Sequence, residues 1–151
     1  MRALGVIVAS VLALALAGVG AAIAATHSGA RTATLATTHS RLGRIIVDGR
    51  GRTLYLFEKD RHGHSACSGT CAAYWPPLLT SAKPVAKTGV KASLIGTTKR
   101  ANGTKQVTVA GHPLYLFSGD VKRGDTSGEG LHDFGAGWYV LTPSGKKIDR
   151  D

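Results

Sequence analysis

The chain has 151 residues, a length that accommodates one domain together with a targeting segment. It carries 19 Lys and Arg against 9 Asp and Glu, a formal net charge of +10, and such a surface attracts anionic partners. No helix-turn-helix, zinc-finger or aromatic-basic signature accompanies the charge, which argues against nucleic acid as a partner. The expected partners are therefore anionic envelope components or the membrane surface.

Residues 1–24 have the pattern of a signal peptide. Arg2 is a short positive n-region, residues 3–25 are uncharged, and Ala22-Ile23-Ala24 matches the small-x-small cleavage pattern. Cleavage there removes Arg2 and no acid, so that the net charge falls from +10 to +9. The alternative is an uncleaved N-terminal anchor, because the apolar run is long enough to span a bilayer. Both interpretations predict an exported protein.

Residues 25–41 have the composition of a flexible linker. From Thr26 to Ser40 the residues are mainly Thr, His, Ser, Ala and Gly, and Leu35 is the only large apolar one. A segment of this kind buries too little apolar surface to offset the entropy lost on ordering. We therefore expect the folded domain to span residues 42–151.

One seven-residue stretch occurs twice in that domain. Leu54–Asp60 reads LYLFEKD, Leu114–Asp120 reads LYLFSGD, and a tryptophan follows each copy, at Trp75 and Trp138. Similarity at a fixed spacing is the signature of a fold built from repeated units. The sequence therefore predicts two repeats, at about 44–80 and 106–148.

Each copy follows a β-forming segment and a turn. In the first repeat, residues 45–47 and 53–57 flank the turn sequence 48–51; in the second, residues 106–109 and 114–117 flank residues 110–113. Asn102-Gly103 predicts a further hairpin turn, and residues 138–141 a further strand. A short helical turn is expected near Cys71, ended by Pro76-Pro77. The predicted fold is mostly β, an antiparallel sheet of two tandem β-hairpin repeats with pseudo-twofold symmetry.

Side-chain alternation makes the first copy apolar on both faces. In a strand of period two, Tyr55 and Phe57 share one face, whereas Leu54 and Leu56 share the other. A strand of this kind is expected to be buried on both sides.

Three stretches together resemble a known family. They are the two copies above, the run CSGTCAAYWPP at residues 67–77, and GDTSGEG at residues 124–130 leading to Trp138. The chain is similar over residues 44–148 to the bacterial secreted-repeat lipoproteins, which share a Tyr-x-aromatic-x-x-Asp motif. The resemblance implies an exported or lipid-anchored envelope protein from a family without an established catalytic activity. No cysteine precedes Cys67, so the lipid-attachment site of such lipoproteins is lacking.

The motif residues are expected to be mainly structural. A buried tyrosine hydroxyl needs a hydrogen-bond partner, and an aspartate just beyond a strand accepts peptide N–H groups in the following loop. The alternative is a ligand site repeated twice. The residues are Tyr55, Phe57 and Asp60 in the first copy and Tyr115, Phe117 and Asp120 in the second.

Cys67 and Cys71 are open to three interpretations. Two cysteines in an exported chain most often form a disulfide, and a separation of four residues permits one. The pair could instead be redox-active. It could also bind a metal together with His62 and His64, since two sulfurs and an imidazole form a ligand set typical of copper.

No motif in the sequence indicates catalysis. The nucleophile elbow, the zinc-protease motif and the phosphate-binding loop are all lacking. The loop from Asp120 to Asp133 carries four acids among glycines, which suggests calcium only weakly because no EF-hand pattern is present. The preferred function is a non-catalytic secreted or envelope module that binds an envelope component or small ligand. The alternative is an extracytoplasmic redox or copper-binding protein using the two cysteines and a nearby histidine.

Overall fold

The fold is mostly β, as predicted, and its strand pairs are largely antiparallel. A computed structural model describes residues 31–149, so the predicted signal peptide and residues 25–30 lie outside the described part. The strands are β1 (Thr34–Ser40), β2 (Gly43–Asp48), β3 (Tyr55–Phe57), β4 (Leu79–Thr80), β5 (Val85–Ala86), β6 (Ile95–Lys99), β7 (Lys105–Val109), β8 (His112–Pro113) and β9 (Trp138–Val140). The helices are α1 (Thr70–Tyr74) and a single 3₁₀ turn, Ala92–Leu94.

The structure differs from the sequence prediction over residues 34–40, where a flexible linker was expected. These residues form β1, which pairs antiparallel with β2 from Leu35 opposite Asp48 to Ser40 opposite Gly43. β1 also pairs in parallel with β5, the one exception to the antiparallel pattern within residues 31–149. Leu35 is completely buried in the core. Pairing on both edges and one buried leucine provide the stabilisation that the segment's own composition lacks.

The three predicted hairpins form to different extents. β6 and β7 form a regular antiparallel hairpin around Asn102-Gly103. Of the hairpin before the second motif, only the start forms, as β7 pairs with the two-residue β8. The first hairpin is reduced to the bridge between Val47 and Thr53, because β3 pairs instead with β9, some 80 residues later. The strand of one motif therefore joins a strand from the other repeat.

The two faces of β3 contribute to two different hydrophobic clusters. Leu54 and Leu56 pack in a mainly aliphatic cluster with Leu114, whereas Tyr55 and Phe57 pack in an aromatic cluster that holds both cysteines and both tryptophans. Every residue of β3 is buried. The prediction that this strand is buried on both sides is thus confirmed.

Helix α1 begins at Thr70 and ends at Tyr74, two residues before Pro76, at the predicted position. Trp75 donates its peptide N–H to the carbonyl of Cys71 at 2.8 Å and closes the last turn. Pro76 and Pro77 prevent the helix from continuing, because neither has a peptide N–H to donate. The side chain of Trp75 is thereby placed in the aromatic cluster.

Candidate functional site

The two motif tyrosines exchange partners between the repeats. The Tyr55 hydroxyl donates to Oδ2 of Asp120 at 2.7 Å, and the Tyr115 hydroxyl donates to Oδ2 of Asp60 at 2.9 Å. Neither tyrosine bonds the aspartate of its own copy of the motif. The motif therefore connects the two repeats.

Peptide groups reinforce this connection. The N–H of Tyr55 donates to the carbonyl of Tyr115, and the N–H of Tyr115 donates back to that of Tyr55, both at 2.9 Å. Asp60 Oδ1 accepts the N–H of Ala66 at 2.7 Å, and Asp120 Oδ1 accepts the N–H of Ser127 at 2.9 Å. Each aspartate thus binds the following loop with one oxygen and the opposite repeat with the other.

Burial dominates the electrostatics of these pairs. It raises the pKa of Asp60 to about 6, although the Ala66 N–H, the Tyr115 hydroxyl and Arg100 each lower it. The pKa of Asp120 is also raised by burial. Burial and the neighbouring carboxylate raise the pKa of Tyr55, so this tyrosine remains a hydrogen-bond donor across the physiological pH range.

A stack of four aromatic rings packs in T-shaped contacts against the two motif tyrosines. The rings of Trp75 and Trp138 are parallel within 6° and their centroids are 3.9 Å apart. Phe57 stacks on the far face of Trp138 at 3.9 Å, and Phe117 stacks on Trp75 at 4.3 Å. Each repeat contributes one tryptophan and one phenylalanine, and each phenylalanine stacks on the tryptophan of the other repeat. The stack therefore repeats the exchange seen in the Tyr–Asp pairs.

The two tryptophans differ in hydrogen bonding. Nε1 of Trp138 donates to the carbonyl of Asp133 at 3.0 Å. Nε1 of Trp75 is buried without a hydrogen-bond partner among the described residues. A buried N–H without a hydrogen-bond partner is energetically unfavourable. Trp75 should therefore contribute less to the stability of the fold than Trp138.

Cys67 and Cys71 form a disulfide with their Cα atoms 5.3 Å apart, one of the arrangements that their spacing allowed. The residues are only 1% and 7% exposed and pack in the aromatic cluster. The bond therefore joins the start of helix α1 to the loop before it, beneath the surface. A redox role would require reagents to reach sulfurs that are covered in the folded protein.

Arg100 anchors the disulfide loop to strand β7. Its guanidinium donates to the Cys67 carbonyl at 2.6 Å, to Ser65 Oγ at 2.8 Å and to Gln106 Oε1 at 2.6 Å. Gln106 is fully buried and donates in turn to the carbonyl of Leu114 at 2.8 Å. Sequence analysis missed this network. Its one sequence signal is Gln106, an uncharged polar residue that directly precedes the β-branched residues 107–109 of β7.

The histidines considered as copper ligands lie in a tight turn. His64 exchanges peptide hydrogen bonds with Arg61, and His62 has the positive φ of 51° that this turn requires. In residues 31–149, no group of three or more His, Cys, Asp or Glu side chains is placed to hold a metal ion. With both sulfurs in the disulfide, a copper site at Cys67, Cys71, His62 and His64 stays a prediction that first requires reduction of that bond.

The carboxylates of the 120–133 loop bind peptide N–H groups. Asp125 accepts the N–H groups of Val121 and Lys122 at 2.9 and 2.7 Å, and Glu129 accepts that of Val140 at 2.6 Å. With those of Asp120, these bonds engage three of the loop's four carboxylates in shaping its backbone, and Asp133 contributes its peptide carbonyl to Trp138 Nε1.

Comparison with known families assigns both repeats. A family model described as a secreted repeat of unknown function matches residues 36–79 and again 96–142. The chain belongs to this secreted-repeat family. The matched ranges begin earlier than the predicted repeats, and the first includes most of β1, in agreement with its place in the fold. No curated protein and no solved structure matches the chain significantly.

Membership of a secreted family supports the prediction of export. Among residues 31–149, neither helix has the length and apolar character that crossing a membrane demands.

Proposed function

We propose that the protein is a non-catalytic envelope module that binds anionic polymers through its basic surface, with the Tyr–Asp motif serving as a structural link. The observation that carries the proposal is the charge: Lys and Arg exceed Asp and Glu by ten. Without Arg2 of the predicted signal peptide the excess is nine, so at least nine cationic side chains have no carboxylate with which to pair one to one. An unbalanced surface of this size attracts polyanions over several ångströms.

The motif residues support a structural role by the way they are used. Both tyrosine hydroxyls and both aspartates bond each other or the neighbouring peptide groups, and Tyr55, Tyr115 and Phe57 are almost completely buried. A ligand at these positions would have to displace hydrogen bonds that join the repeats. We infer that the two repeats are equivalent halves of one unit, related by a pseudo-twofold axis through the Tyr55–Tyr115 peptide pair.

The acids that the fold does possess are largely engaged. Asp48 pairs with Arg52, Glu58 and Asp149 pair with Lys147, and Asp60 and Asp120 bond the motif tyrosines. Internal neutralisation of further cations is therefore limited. The excess positive charge of the Lys and Arg side chains is therefore available to an external polyanion.

Binding to a phosphate-rich polymer tests the proposal. The folded protein is titrated with poly(glycerol phosphate) and with uncharged dextran, at low and at high salt. We expect binding to the polyanion that weakens steeply with salt, because screening shortens the range of the attraction to about 3 Å at 1 M salt. Equal binding to dextran, or no binding to poly(glycerol phosphate) at low salt, would overturn the proposal.

A further inference from the structure

The sheet β5–β1–β2 carries an open groove that is lined by none of the motif tyrosines or aspartates and by none of the four stacked rings. It has a volume of about 410 Å³ and lies against the small side chains of β1. Volumes in this range are typical of ligand-binding clefts in proteins. We call it the β1 groove, and its charged and imidazole-bearing lining residues are His39, Asp48, Lys87 and Arg123.

Arg123 is positioned in this groove by a glycine. A Cβ atom at Gly51 would come within 2.6 Å of Arg123 Nε and 3.0 Å of Nη2, so the guanidinium lies directly over the missing side chain. The N–H of Gly124 donates to the carbonyl of Gly51 at 2.9 Å and attaches the loop at that point. Asp125 fixes the same loop from the other side through its two peptide hydrogen bonds. The backbone that carries Arg123 is therefore held in place before any ligand arrives.

Among the described residues that line the groove, the one carboxylate is already neutralised. Asp48 Oδ2 accepts two hydrogen bonds from Arg52, from Nε at 2.8 Å and from Nη2 at 2.7 Å. Its Oδ1 accepts the peptide N–H groups of Arg50 and Arg52, each at 2.9 Å. Asp48 has thus little capacity left for the groove cations. Neither Lys87 nor Arg123 forms an ion pair within residues 31–149.

Hydroxyl groups complete the donor set. Thr34 and Thr38 line the groove beside the two cations; Thr37 also lines it, but its hydroxyl already donates to the carbonyl of Thr88 at 3.3 Å. Hydroxyls, an ammonium and a guanidinium are the groups that bind phosphate oxygens, and the guanidinium can bind two oxygens of one phosphate at once. Because the groove is open to solvent, it suits a segment of a polymer better than a small ion, which is usually bound in an enclosed site.

We propose that the β1 groove is the site at which a phosphate-containing polymer binds, with Lys87 and Arg123 as the principal contacts. This inference rests on the proposed function and assigns that function to one place on the molecule. The remaining cations then contribute long-range attraction, whereas the groove supplies the direct contacts.

A pair of charge-matched variants tests the assignment in the full chain. The first, Lys87→Gln with Arg123→Gln, removes two groove charges; the control, Lys91→Gln with Lys146→Gln, removes two exposed charges outside it. All four side chains are exposed, so both variants should keep the melting temperature of the wild type. Binding of poly(glycerol phosphate) and of inorganic phosphate is measured for each protein by calorimetry at low salt.

We expect the groove variant to bind the polymer about tenfold more weakly than the wild type, because charge-assisted hydrogen bonds are lost. The control should lose less than about threefold, the effect of long-range charge alone. Equal losses in the two variants would overturn the groove as the site while leaving the proposed function intact. Failure of the wild type to bind the polymer would overturn both. Inorganic phosphate binding as tightly as the polymer would overturn the polymer as the occupant.

Discussion

The exchange of tyrosine partners between repeats predicts a specific loss of stability when one hydroxyl is removed. Tyr115→Phe keeps the buried ring but deletes the hydroxyl that donates to Asp60 Oδ2 at 2.9 Å and lies 2.7 Å from Ser65 Oγ. A hydrogen bond to a charged group contributes about 1.5–3 kcal/mol, and the carboxylate left behind is partly buried. We expect the free energy of unfolding to fall by about 2 kcal/mol.

Chemical denaturation and thermal melting measure this change. For a domain of this size a loss of about 2 kcal/mol lowers the melting temperature by roughly 8 °C. Tyr74→Phe is the matched control, because Tyr74 is 56% exposed and lies outside the buried core. The control should change stability by less than about 0.5 kcal/mol.

A double-mutant cycle tests whether the loss belongs to the pair. Asp60→Asn is combined with Tyr115→Phe, and the double variant should be more stable than the sum of the single losses implies, by about 1 kcal/mol or more. Additive losses, or a Tyr115→Phe variant as stable as Tyr74→Phe, would refute the view that the Tyr–Asp pair stabilises the joined repeats.

Three further predictions concern the same core. Burial raises the pKa of Asp60 from 3.8 to about 6, so protonation of this carboxyl group favours the folded state, fully below pH 4 and no longer once the pH has risen through 6. Denaturation curves of Asp60→Asn should lack this pH-dependent stabilisation. A pH profile of stability identical to that of the wild type would contradict the prediction. Replacing Cys67 and Cys71 by alanine should lower the free energy of unfolding by about 2 kcal/mol, because the loop that the disulfide closes is short. In the wild type treated with reductant, neither cysteine should become alkylated until denaturant is added, because both are buried. Rapid alkylation of the native protein would show that the disulfide is accessible. Trp138→Phe should destabilise the fold by about 1 kcal/mol more than Trp75→Phe, as only Trp138 loses a hydrogen bond, and equal melting temperatures would argue against this.

Local sequence patterns determined much of the secondary structure and the family. Alternation around Leu54–Phe57 predicted a strand buried on both faces, and Asn102-Gly103 predicted the hairpin of β6 and β7, because both signals depend only on neighbouring residues. The spacing of the two cysteines permitted the disulfide that the structure contains. The repeated heptapeptide led to a family that the comparison then assigned.

Tertiary structure alone decided how these pieces combine. Thr34–Ser40 has the composition of a linker, yet two neighbouring strands and the burial of Leu35 make it β1. The repeats are predictable, but no local signal shows that Tyr55 bonds Asp120 rather than Asp60. Partner choice across 65 residues depends on the antiparallel bridge between Tyr55 and Tyr115, and such pairings follow from the packing of the whole core rather than from the propensity of any segment. The same is true of the β1 groove, where Gly51 and Arg123 meet only after folding.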